Sequence, residues 1–205
     1  MVTVLFCESN SIYKNLKGRN RVSLCDVYDK NRNALNYNGE SAAIYHPPCR
    51  LWSRLKGLST AEESEKYLAI WSVRMVQMNG GILEHPADSS LWKVCNLPSP
   101  GAIDQHGGFT IVIDQFHFGH KARKRTWLYI VGIKPNDRLL NYKPIPGSPK
   151  YWLGHNKRPG RKPAMPSKLH SATPKKFAKY LVKICTQINN LKHKKPCTDP
   201  FLLPK

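Results

Sequence analysis

The sequence predicts an α/β layered fold built on a largely parallel sheet. Short apolar runs alternate with segments of helical periodicity, and each early run ends in a polar or charged residue. Strands and crossover helices follow one another along a chain in this way. With 205 residues, 40% of them hydrophobic, the chain can bury the core of one domain.

The elements follow in order. Val2 to Cys7 reads as a first buried strand, and Ile12 to Leu16 as a short helix behind Glu8-Ser9-Asn10-Ser11. Arg21 to Cys25 is a second strand ending at Asp26, and Ala42 to Tyr45 is a third. Ser59-Thr60 with Glu62-Glu63 forms overlapping capping boxes. The helix behind them carries Leu68, Trp71, Met75 and Met78 at the spacing of a core-facing stripe. Asn79-Gly80-Gly81 ends that helix, and Ile82-Leu83 opens a strand that delivers Glu84. Gly108 to Ile113 alternates as a strand, Gly119 to Arg125 is a basic turn, and Thr126 to Val131 is a last strand closed by Gly132.

Beyond it the character changes. Pro135 to Pro166 is rich in Pro, Gly, Lys and Arg, with Tyr142, Tyr151 and Trp152 interspersed, and reads as an extended loop or small irregular subdomain. Thr173-Pro174 starts a final helix with Phe177, Leu181, Ile184 and Ile188 on one face. Lys175, Lys176, Lys179 and Lys183 lie on the other. The expected organisation is a core over 1–133, a basic Pro/Gly-rich region over 134–170, a helix over 171–191 packing back on the core, and a tail over 192–205.

Lys and Arg number 33 against 13 Asp and Glu, a formal charge of +20, so a polyanion is the natural partner and nucleic acid the commonest one. No run is long enough to span a membrane and no signal peptide is visible, so the expected location is the cytoplasm. The six cysteines form no CxxC pair and read as reduced thiols; Cys185, His193 and Cys197 lack the spacing of a zinc site, and no metal is expected.

One run stands out: His46-Pro47-Pro48-Cys49-Arg50-Leu51-Trp52-Ser53. Two prolines restrict the backbone before Cys49, so the thiol sits in a stiff loop at a strand end, as covalent chemistry requires. Glu8, Ser9, Asp26, Cys49, Glu84 and the Arg123/Arg125 turn also fall at expected strand ends, where open α/β sheets bind ligands.

These segments resemble DNA (cytosine-5) methyltransferases. Pro47-Pro48-Cys49-Arg50-Leu51-Trp52-Ser53 looks like that family's PPCQ-x-F-S loop, Ile82-Leu83-Glu84-His85-Pro86 resembles its ENV motif, and Gly119 to Gly132 is similar to its QxRxR motif and following strand. Leu5-Phe6-Cys7-Glu8-Ser9-Asn10 is a degenerate counterpart of the DLFxGxGG cofactor loop, with Glu8 and Asn10 where glycines allow close backbone approach. The short segment from Asp26 to Cys49 omits the strand that carries the family's adenine-contacting Asp. Small phage-encoded proteins described as DNA cytosine methyltransferases are also similar, and a restriction-modification context follows from that likeness.

The resemblance implies a Rossmann-like S-adenosylmethionine-dependent methyltransferase fold with helices on both faces and a reduced target-recognition region. It implies that Cys49 attacks cytosine C6, that Glu84, tunable toward its protonated form, protonates N3, that Arg125 contacts O2, and that Arg123 supports the turn or a phosphate. S-adenosylmethionine would be held by Phe6, Cys7, Glu8, Ser9, Asn10, Asp26, Val27 and Pro48. DNA would be held by Arg50, Ser53, Arg54, Lys121, Lys124, Tyr151, Trp152, Lys157, Arg158 and Arg161, the last five forming the reduced recognition region. Two alternatives stay open: another cytosine C5 modification, with a different one-carbon donor or a nucleotide substrate, and a non-catalytic DNA-binding protein that keeps the fold.

Overall fold

The computed structural model describes residues 1–53, 57, 60–153, 162–166 and 169–194. Its centre is a six-stranded sheet of β1 (Val2–Leu5), β2 (Cys25–Val27), β3 (Ala43–Tyr45), β4 (Gly81–Pro86), β5 (Phe109–Asp114) and β6 (Arg125–Val131). The strand order is β2-β1-β3-β4-β6-β5. The first four strands are mutually parallel, whereas β6 lies antiparallel between β4 and β5. The carboxyl ends of β1 to β5 and the start of β6 therefore share one rim.

Two helices cover the two faces. Helix α1 (Lys66–Asn79) packs with Leu5, Tyr45, Leu83 and Tyr129 on one side. Helix α3 (Lys175–Lys194) packs with Val4, Ile44, Ile82 and Ile130 on the other. Successive strand residues point to opposite faces, so Ile44 and Tyr45, or Ile82 and Leu83, serve different cores. A short helix α2 (Leu91–Val94), which periodicity could not reveal at one turn, sits after β4.

Several expectations hold with adjusted ends. The α3 face of Phe177, Leu181, Ile184 and Ile188 is fully buried, and Lys175, Lys176, Lys179 and Lys183 are exposed. The second strand starts later than expected, because Arg19–Arg21 forms a single 3-10 turn with Asn20 and Arg21 at positive φ. Helix α1 also starts later, after a 3-10 turn at Glu63–Glu65, and its N-cap Glu65 makes no side-chain capping bond. Its core face is Ala69, Ser72, Val73 and Val76 rather than the larger residues. Leu68, Trp71 and Met75 are half-buried and Met78 is 78% exposed, because the tight approach to the sheet selects small side chains. Residues 134–153 are irregular apart from a 3-10 turn at Arg138–Leu140, and bridges join Ala122 to Tyr151 and Trp152 to Ala164.

The α1–β4 joint requires two glycines. Gly80 caps α1 at φ 70°, and Gly81 follows at φ 129° with its Cα against β3. A Cβ on Gly81 would lie 2.3 Å from the Ala43 carbonyl oxygen, inside the β3–β4 pairing. Gly81→Ala is expected to destabilise the fold by about 3 kcal/mol, read from the urea midpoint. Gly101→Ala, whose Cβ meets nothing within 4 Å, is expected to cost only about 1 kcal/mol for its positive φ.

Candidate functional site

Glu84 stands near the end of β4 on the α3 side of the sheet, where alternation places it with Ile82. One carboxylate oxygen accepts from His46 Nδ1 at 2.8 Å and the other from Gln115 Nε2 at 3.0 Å. His46 follows β3 directly, and its backbone N–H is held by the Leu5 carbonyl of β1 at 3.2 Å. Behind it, His46 Nε2 lies 3.0 Å from the Tyr13 hydroxyl, which belongs to the 3-10 turn Ile12–Asn15. Gln115 also donates to Thr126 Oγ1 of β6 at 2.9 Å, and its own Oε1 is buried without a partner among the described residues. A hydrogen-bonded chain thus runs Tyr13–His46–Glu84–Gln115–Thr126 across the rim.

Burial alone would raise the Glu84 carboxyl pKa. The hydrogen bond from His46 and the charges of Lys124 and His46 outweigh it, and the group is held below the usual carboxylate range. This corrects the expectation of a carboxyl tuned toward its protonated form: at rest Glu84 is a carboxylate with both oxygens engaged.

Cys49 sits in the turn after β3, where its carbonyl accepts from the backbone N–H groups of Trp52 and Ser53, both at 3.0 Å. The thiol is half-buried. Burial and then the Glu84 charge push its pKa up, and Lys124 pulls it partly back. Thiol, carboxylate and ammonium therefore lie within one another's fields. His85 occupies the opposite face beside Trp92, fully buried. Desolvation lowers its pKa to about 4, against the Glu84 charge and the Pro48 carbonyl, so the ring is neutral.

The basic turn places its charges differently from the expectation. Residues paired across β5 and β6 share a face, and Asp114 pairs with Arg125 whereas Ile113 pairs with Thr126. Lys124 and Thr126 consequently fall on the Glu84 side, and Arg125 on the other. Arg123 forms an ion pair with Asp114 at 2.9 Å. Lys124, assigned from the sequence to DNA, is the basic residue of this turn that acts on both Glu84 and Cys49. Lys121 is exposed, and its carbonyl accepts from Tyr151 N at 3.1 Å, which lays Tyr151 and Trp152 against the turn.

Among the residues assigned to the cofactor, the Asp26 carboxylate and the Ser9 carbonyl are already engaged. Asp26 is bound by Arg32, whose guanidinium also lies 3.6 Å above the Tyr28 ring. Lys14 binds Asp29 and the Ser9 carbonyl. Cys7 is buried, its thiol pushed up to about 12 by desolvation, while Glu8, Ser9 and Asn10 are exposed and Val27 and Pro48 half-buried. Phe6 takes a left-handed backbone, φ 61°, and its ring stands edge-on to Trp71 at 6.0 Å. Beside Trp71 lies a groove of about 910 Å³ walled by Leu35, Leu68, Trp71, Arg50, Glu62 and Glu65. Arg50, assigned to DNA, is clamped on Glu65 by its Nε at 2.9 and 3.0 Å. Ser53 contacts the Arg50 carbonyl at 3.5 Å. Arg54, Lys157, Arg158 and Arg161 lie outside the described residues.

Sequence reasoning missed His46, Tyr13, Gln115 and Thr126. His46 could have been found as the polar residue opening the Cys49 run, whereas Tyr13 and Gln115 carry no local signal. Comparison with protein-family models, curated proteins and solved structures yields no match. What stands is an α/β protein with a six-stranded, mostly parallel sheet, compatible with a Rossmann-like fold. Among the described residues there is no group of side chains fit to hold a metal ion and no helix long and apolar enough to cross a membrane.

The depressed Glu84 pKa has a consequence for stability. A carboxyl lowered on folding contributes stability that is complete above its unfolded pKa and is lost as pH falls through the folded value. In acid titrations followed by urea unfolding, Glu84→Gln is expected to flatten the loss of stability below about pH 4.5 relative to the parent chain.

Proposed function

We propose that this chain modifies C5 of cytosine in DNA through a covalent Cys49 adduct, with S-adenosylmethionine as the methyl source. The carrying observation is the juxtaposition of the Cys49 thiol and the Glu84 carboxylate, supplied by neighbouring parallel strands β3 and β4. The motif resemblance supports the same pairing. The run of residues 28–42 between β2 and β3 contains one 3-10 turn and no further strand, and so departs from the family where its adenine-contacting Asp would stand.

Cytosine C5 is a poor nucleophile. Sulfur addition to C6 makes it enamine-like, and protonation at N3 makes C6 a better acceptor. In this reading Cys49 forms the C6–S bond, and Glu84 binds and protonates N3. Lys124 favours the thiolate as it forms and offsets the repulsion between Cys49 and Glu84. The target base must be flipped out of a duplex or be single-stranded to reach the rim.

The groove beside Phe6 fits the methyl donor better than the β1–β2 loop does. Its aromatic and aliphatic wall of Trp71, Leu68 and Leu35 suits an adenosyl group, and Glu62 suits a cation, Glu65 being already paired with Arg50. Bound S-adenosylmethionine would supply an electrophilic methyl group. A second reading, a different one-carbon donor acting with the same Cys49 and Glu84, is favoured by the occupation of Asp26 and the Ser9 carbonyl by Arg32 and Lys14. The DNA partner is supported by the charge of +20 and by the exposed α3 lysines on a helix that carries no acidic residue.

Reversible addition at C6 loosens the C5 hydrogen whatever the donor. Release of tritium from DNA containing [5-³H]cytosine is therefore expected for the wild-type chain and abolished in Cys49→Ser. Equal release from both would sink the covalent reading. Calorimetry with S-adenosylmethionine then separates the donors: binding weakened by Trp71→Ala supports the methyl donor in the groove, and absence of binding supports the second reading.

A further inference from the structure

The addition step requires a proton that Glu84 does not hold. Its two oxygens accept from His46 and Gln115, and a carboxylate has nothing to donate. The neighbours that could supply the proton can be taken in turn. Gln115 and Thr126 carry amide and hydroxyl protons that are not exchanged as acids. Lys124, in the turn just before β6, acts on Glu84 through its charge and makes no hydrogen bond to it among the described residues. His85 is buried on the far face and neutral. Tyr13 is buried and its phenol is pushed well above its ordinary value by desolvation. Cys49 must shed its own thiol proton before it can bond to C6, and its sulfur makes no hydrogen bond to Glu84 among the described residues. His46 remains, and it touches a Glu84 oxygen directly at 2.8 Å with the one side chain that ordinarily exchanges protons near neutrality.

We propose that His46 is the proton carrier for Glu84, and that Tyr13 is a positioning residue that fixes which ring nitrogen exchanges. This rests on the cytosine-addition reading. The imidazolium donates Nε2–H to the Tyr13 oxygen and Nδ1–H to the Glu84 carboxylate. Cys49 first releases its S–H proton to solvent, with Lys124 favouring the thiolate; as that sulfur bonds to C6, the Nδ1 proton passes to the carboxylate, which protonates N3. His46 is left neutral with its remaining proton on Nε2, still against Tyr13. The N3 proton returns along the same path when the C6–S bond breaks and is conserved over addition and elimination, while the C5 hydrogen leaves to solvent in exchange for a solvent proton, which is the tritium the assay reads. Tyr13 and His46 also touch through their rings, with centroids 5.4 Å apart. The His46 side chain is 12% exposed and that of Glu84 13%, which limits competing exchange with water.

The test is the pH dependence of tritium release from [5-³H]cytosine DNA, with folding checked by thermal melting. His46→Gln keeps an N–H donor near Glu84 but has no transferable proton. It is expected to lose ~100-fold in rate and to lack the alkaline decline of the wild-type profile. Tyr13→Phe is expected to lose roughly tenfold and to move that decline to lower pH, since one hydrogen bond to the imidazolium is gone. A His46→Gln variant with the wild-type rate and profile would overturn the proposal. If the wild-type chain releases no tritium, the cytosine reading fails on its own. The His46–Glu84 link is then read from ¹⁵N NMR of the imidazole: it stands if Glu84→Gln moves the His46 titration to lower pH, and falls if the titration is unchanged.

Discussion

The hydrogen bond between His46 and Glu84 joins two neighbouring parallel strands at the point where each stops being regular structure. Everything at the rim is referenced to it. Glu84 is held as an anion by His46, Gln115 is oriented by Glu84, and Gln115 in turn ties β4 to Thr126 of β6. The Cys49 turn hangs from the same strand as His46, three residues on. A buried carboxylate is tolerated in such a place only when both oxygens are satisfied and positive charge lies nearby, and both conditions are met here. The remainder of the sheet reads as the frame that keeps β3 and β4 in register.

Much of the frame was legible in the sequence. Short apolar runs found five of the six strands close to their observed ranges, and the α3 periodicity found its buried face, because burial on one side dictates residue type directly. The second strand was misplaced, because the exposed 3-10 turn at Arg19–Arg21 interrupts a run that composition alone reads as extended. The α1 stripe held only in part: Trp71 and Met75 pack against the edge of the core, whereas Met78 is exposed. Large apolar residues at helical spacing mark a core only where there is room, and α1 approaches the sheet closely enough that Ala69, Ser72, Val73 and Val76 fill the contact. Leu68 and Trp71 are left to wall a groove.

The site was legible in part. Cys49 and Glu84 were visible because each follows an apolar run. The partners of Glu84 were not, since Tyr13, His46, Gln115 and Thr126 meet only through tertiary folding and lie 31 to 38 residues from Glu84 in the direct contacts alone. The basic turn was visible as a charge run, but which of its residues faces Glu84 depends on strand parity. A shift of one residue exchanges Arg125 for Lys124. The two differ chemically: lysine presents a compact charge that acts at a distance, arginine a planar fork that must touch.

Asn189 gives a last consequence. Near the end of α3, its side-chain oxygen accepts from the Ala42 backbone N–H at 2.8 Å while its amide donates to the Ala42 carbonyl at 3.1 Å, and the Cys185 thiol meets the same carbonyl at 3.3 Å. Asn189 thereby acts as a surrogate strand neighbour at the root of β3, across a sequence separation of 147 residues. The strand that presents both His46 and Cys49 is anchored at its far end by the penultimate turn of α3. During synthesis, β1, β3 and β4 are all made long before that anchor exists, so the rim can acquire its final geometry only after α3 has emerged and docked.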